Sequence, residues 1–121
     1  MQEIPDFKSE HINMTELEDT LYFQLQSVLE PAVTVEREYK FHPIRMWRAD
    51  FALPEYHVLV EVQGGIYKPH TGHNTPSGLI RDYKKANEAA ILGWCYLQFD
   101  RAAIESGEAL NTIIRAMGRA R

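Results

Sequence analysis

The stretch Trp47-Arg48-Ala49-Asp50-Phe51-Ala52-Leu53-Pro54-Glu55-Tyr56-His57-Val58-Leu59-Val60-Glu61-Val62-Gln63-Gly64-Gly65 decides the reading of this chain. Trp47 to Leu53 reads as a strand stopped by Pro54-Glu55, and His57 to Gln63 as a second strand broken by Gly64-Gly65. The uninterrupted apolar run Val58-Leu59-Val60 is what a central strand buried on both faces needs. Upstream, residues 32–41 place Val33, Val35, Tyr39 and Phe41 in alternation with polar residues, with Arg37 breaking the row; this predicts an earlier strand with one buried face. His42-Pro43 supplies the turn between them.

Helices flank this core. Thr15 followed by Glu18 forms a capping-box pattern, and Leu17, Leu21, Leu25, Val28 and Leu29 keep helical spacing until Pro31. Residues 66–77 are rich in turn formers, and the alanine-rich run from Gly78 or Leu79 to Leu92 predicts a second helix ended by Gly93. Trp94 to Phe99 reads as a fourth strand and Glu108 to Met117 as a last amphipathic helix. Three strands joined by short turns predict an antiparallel meander, and the later strand-helix-strand passage requires a crossover to a parallel partner. The expected fold is a single α/β domain over residues 1–121. Its mixed sheet of four or slightly more strands is flanked by helices in the order α-β-β-β-α-β-α, and residues 1–13 form a loose lead-in.

A chain of 121 residues, 45% hydrophobic and 25% charged, suits one globular domain and argues against global disorder. Its one cysteine, Cys95, excludes an internal disulfide. The polar opening segment lacks the layout of a signal peptide, and no apolar run approaches the length of a membrane span, so a cytoplasmic location is expected with no membrane partner. A net charge of −4 counts against a general nucleic-acid coating protein. It does not count against an enzyme whose metal site is built from carboxylates.

Asp50 and Glu61 carry the chemistry. Adjacent antiparallel strands can set them side by side, among neighbours that are otherwise apolar, where a carboxylate is costly unless paired, hydrogen-bonded or bound to a metal. With the backbone carbonyl of Val62 they would form a hard oxygen site suited to Mg²⁺. Such an ion polarises a phosphoryl oxygen and acidifies a bound water, the chemistry of phosphodiester hydrolysis. Taken singly, each has a plainer reading: Asp50 pointing to solvent, Glu61 closing a strand. Arg45 and Arg48 flank the active strand as phosphate donors or solvated charges. His70 and His73 form an H-x-x-H pair that suggests zinc, although further ligands are hard to find.

The segments Trp47 to Pro54 and Val60 to Gly65 resemble the core of PD-(D/E)XK nucleases, and are closest to small phage and bacterial members related to very short patch repair and virus-type replication-repair nucleases. The similarity takes in Tyr39, Phe41, His42 and Pro43, and downstream His73, Gly78, Asp82, Lys85, Asn87 and Gly93-Trp94, spanning about residues 16–100. The resemblance implies a restriction-endonuclease-like core. It also implies Mg²⁺- or Mn²⁺-dependent cleavage of DNA leaving a 5′-phosphate, a homodimer, and no small organic cofactor. Repair, recombination or branched substrates fit that family. Asp50, Glu61 and the Val62 carbonyl become metal ligands, and a helix glutamate, Glu18 or else Glu16, stands near the metal. His73 becomes a group that orients water near the phosphate, and Asp82 and Asn87 fall at family positions. One departure stands out: the family commonly has lysine two residues after the glutamate, where this chain has Gln63. Lys85 is the expected substitute, its rival role being a surface lysine paired with Asp82. Two other functions compete: a nucleic-acid-binding module that has lost catalysis, motivated by Gln63, and a small zinc-stabilised interaction protein using His70 and His73.

Overall fold

The computed structural model describes residues 9–63 and 76–120, with no side chains for 9–15 and 76–82. The elements are α1 (Ser9–Leu29), β1 (Glu36–Lys40), β2 (Arg48–Leu53), a 3₁₀ turn (Pro54–Tyr56), β3 (Val58–Val62), α2 (Pro76–Ile91), β4 (Cys95–Phe99), α3 (Arg101–Ser106) and α4 (Glu108–Met117). They form one α/β unit around a four-stranded sheet ordered β1-β2-β3-β4. β1 and β2 pair antiparallel, as do β2 and β3, while β3 and β4 run parallel across the α2 crossover.

β3 is central and fully buried at Val58, Leu59 and Val60, as its apolar run requires. On one face Phe51, Leu53, Val58, Val60 and Val62 meet Leu17, Leu21, Leu25 and Leu29 of α1, together with Ile104 of α3 and Ala109 and Ile113 of α4. On the other, Ala52 and Leu59 pack with Phe41, Ala49 and Ala89 of α2. This second core is small-residue rich, which lets α2 approach the sheet closely, and Trp47 and Trp94 close its rim half-buried. Among the described residues no helix is long and apolar enough to cross a membrane.

Most elements match the sequence reading to within two or three residues, α2 starting at Pro76 and not at Gly78 or Leu79, and three differences are larger. α1 begins at Ser9, so residues 9–13 belong to a helix and not to a loose lead-in. Met14 stands three before Leu17, which continues the spacing of the buried row, and a helix once nucleated extends cheaply. Thr15 therefore lies inside the helix, and the capping box with Glu18 does not exist. β1 is shorter than the predicted 32–41, because Val33 and Val35 are buried by packing without joining the ladder. A short helix absent from the expected order, α3, precedes α4. Asp100 caps it, its side chain accepting from the Ala103 amide at 3.0 Å, and Gly107, in a left-handed conformation at φ 88°, separates the two helices.

Candidate metal centre

The site forms where β2 and β3 part. Their register pairs Phe51 with Val60 and Ala52 with Leu59, and one further step sets Asp50 opposite Glu61. There side chains take over from the backbone ladder. The Asp50 amide donates to Glu61 Oε2 at 3.2 Å, and the Val62 amide donates to Asp50 Oδ2 at 2.7 Å. Each carboxylate thus satisfies a main-chain donor exposed by the divergence of the strands, and is fixed in place by doing so. The Gln63 amide points to β4, donating to the Phe99 carbonyl at 2.7 Å. Across a trans peptide the Val62 carbonyl must point the opposite way, toward the opening beside Asp50.

Lys85 reaches the site through α2. Glu61 lies two residues after Leu59 and shares its face of the sheet. Ala89 packs on that face, and Lys85 is one helical turn before Ala89, on the same side of the helix. Its Nζ lies 3.1 Å from Glu61 Oε1, with the two side chains only 18% and 16% exposed. Lys84 is exposed and lines a different hollow, with Arg45, Trp47, Asn87 and Glu88.

On the α1 side, Glu18 stands beside the buried row of leucines. Carboxylate oxygens of Glu18, Glu38 and Asp50 all lie within 4.8 Å of one another. Arg37 Nη2 is 3.8 Å from Glu18 and 3.2 Å from Asp19, with its guanidinium over the ring of Tyr22. Glu18, Glu38 and Asp50 therefore crowd together, with Glu61 next to Asp50 on the far side, and the near cations are Arg37 at Glu18, Arg48 at Glu38 and Lys85 at Glu61. Burial first, and then the charges of Asp50 and Glu38, push the Glu18 carboxyl up to about 7. Asp50 is raised above the usual carboxylate range by burial, against the pull of the Val62 amide. Glu61 is raised by burial and by Asp50, against the pull of Lys85. All three shifts come first from burial, with the neighbouring carboxylates adding to it, and a bound cation would favour the charged forms.

The predicted residues do not all converge. Asp50 and Glu61 adjoin, Lys85 pairs with Glu61, and Glu18 stands with Glu38 at Asp50; Glu16 is exposed on α1. Gln63 turns to β4, its side-chain amide donating to Gln98 Oε1 at 2.8 Å. Arg48 is exposed, 4.0 Å from Glu38. Arg45 lies over the Trp47 ring at 4.9 Å, in the hollow that Asn87 also lines, away from the carboxylates. His70, His73 and the side chain of Asp82 fall outside the described residues.

Glu38 was missed by the sequence reading. It sits across the β1–β2 register from Asp50, since Arg37 pairs with Phe51 and Tyr39 with Ala49. The signal was there: in an antiparallel pair the residue opposite a buried carboxylate is its nearest neighbour. The unusual backbone at Glu38, φ 52°, had no such signal. Comparison with family models, with curated proteins and with solved structures found no match.

Proposed function

We propose that this protein is a divalent-metal-dependent nuclease that hydrolyses DNA phosphodiester bonds, on the PD-(D/E)XK plan that its sequence resembles. The observation that carries this reading is the union, at one strand divergence, of Asp50, Glu61 and a lysine from a different element. Lys85 brings to Glu61 the positive charge that Gln63 lacks.

The residues present fit a Mg²⁺ or Mn²⁺ ion. They are hard oxygen donors, held by main-chain amides, in a partly buried setting that raises their proton affinity. Asp50, Glu61 and the Val62 carbonyl would hold it, with Glu18 and Glu38 beside Asp50. When bound, the ion supplies Lewis-acid polarisation of the phosphoryl oxygen and a more acidic water. The protein's own part is fixed by its geometry. The Val62 and Asp50 amides lock the two carboxylates. Lys85 keeps a half-buried positive charge beside Glu61, where charge gathers on the phosphoryl oxygens. Arg48, exposed at the start of β2, would offer a guanidinium donor to the DNA backbone beside the centre. Cleavage leaving a 5′-phosphate, a homodimeric assembly and a branched or repair-type substrate belong to the same proposal.

The test is incubation of the purified protein with linear duplex, single-stranded and four-way-junction DNA in Mg²⁺, in Mn²⁺ and in chelator. Cleavage in either metal, abolished by chelator and leaving 5′-phosphate ends, is expected. Binding of DNA without cleavage of any substrate would replace this reading with that of a catalytically inactive nucleic-acid-binding module.

A further inference from the structure

We propose that the cleft at the ends of β3 and β4 binds a nucleobase bearing an exocyclic amino group (adenine, cytosine or guanine, and not thymine) next to the phosphate that the metal centre holds. This names a feature of the substrate and rests on the nuclease reading. The cleft has a volume of about 570 Å³, within the usual range for small-ligand sites. It lies at the carboxyl ends of the parallel pair, where open α/β sheets place their ligands. Gln63, Gln98, Phe99, Asp100, Glu108 and Thr112 line it.

The chemistry of this wall is selective. Among the described residues no lysine or arginine lines the cleft, and two carboxylates do, which disfavours a phosphate. The Gln63 amide donates to the Gln98 carbonyl oxygen at 2.8 Å. That bond leaves three amide N–H donors and two oxygens with free lone pairs on the two side chains, and turning both amides over together preserves this count. Together they match the edge of a base, as a glutamine amide matches adenine. The Asp100 carboxylate is engaged in capping α3, whereas the Glu108 side chain is exposed in the first turn of α4 and adds a further acceptor. An amino group has two hydrogens, one for a glutamine oxygen and one for Glu108. Thymine offers a single N–H flanked by carbonyl oxygens, which a carboxylate disfavours.

Proximity ties the cleft to the metal centre. Gln63 follows Val62, whose amide holds Asp50, so the two sites are one residue apart along β3. Gln63 then selects a base and does not act on the phosphate.

The experiment follows the side-chain amide resonances of Gln63 and Gln98 by NMR in chelator, while deoxyadenosine, deoxycytidine or thymidine is added. Saturable shifts with deoxyadenosine and deoxycytidine, at about tenfold lower concentration than with thymidine, are expected for one hydrogen bond to a charged group. Gln98→Ala should abolish the response, and Glu108→Gln should bring thymidine level with the other two. Both side chains are exposed, so neither change threatens the fold. Equal response to all three nucleosides, no saturable response, or a response that survives Gln98→Ala overturns the proposal. Because no metal or cleavage is involved, the outcome is independent of whether the protein cuts DNA.

Discussion

On the proposed nuclease reading, Lys85 would supply from a helix the charge that the residue after Val62 supplies in the pattern this chain resembles. Its ammonium is half-buried against Glu61, while its neighbour Lys84 is exposed and about a hundred degrees further round α2. Lys85→Ala should therefore lower the cleavage rate on the order of 10²-fold, and Lys84→Ala only slightly. Equal small losses in single-turnover assays would make both of them solvated charges. Gln63 is predicted to behave differently. Its side chain faces Gln98 and not the carboxylates, so Gln63→Ala should cost about tenfold or less, the scale of a neutral hydrogen bond. A wholly inactive Gln63→Ala beside a fully active Lys85→Ala would return the catalytic role to β3.

At the scale of elements, the strands and their directions were legible because their signals are local: an apolar run for β3, a glycine ending α2, a crossover length before β4. Asp50 and Glu61 were legible for the same reason, as charges in apolar strands. What the sequence hid was of another kind. Thr15 and Glu18 form a valid capping box in isolation, but a helix that can extend a further turn and a half overrides it. Glu18 is thereby free to stand over Asp50 and not to close a helix end. Glu38 joins the centre only through cross-strand register, which no single segment reports. The short α3 was overlooked because six residues show little periodicity; its one clear mark was Asp100 before Arg101-Ala102-Ala103. That mark is testable. Asp100→Ala removes a cap at 3.0 Å and should destabilise the fold by about 1 kcal/mol in urea unfolding with the slope unchanged. No change in midpoint would show that α3 is held by Ile104 packing alone.

For the molecule as a whole, the burial of the site's carboxylates, and second their mutual charge, makes stability depend on pH. Glu18 titrates at about 7 in the fold against an ordinary value of 4.5, and Asp50 and Glu61 are shifted the same way. Between those values the metal-free fold binds more protons than the unfolded chain. The contribution of these groups is thus complete below the unfolded value and is lost as pH rises through about 7. The metal-free protein should melt lower at about pH 8 than at about pH 5, and Asp50→Asn should flatten that difference. Mn²⁺ should raise the melting temperature at the higher pH, where the site is charged, more than at the lower. A melting temperature that climbs from pH 5 to pH 8 equally in both proteins would show that the carboxylates are not mutually strained. The most direct test of the central claim is Mn²⁺-dependent cleavage of DNA by the wild type beside Asp50→Asn and Glu61→Gln, each shown folded by circular dichroism. Both substitutions keep shape and remove one negative charge. The wild type should cut and both variants should lose cleavage by at least about 10³-fold, as for a lost metal ligand. Cleavage by either variant at the wild-type rate would contradict the assignment of the metal centre to the parting of β2 and β3.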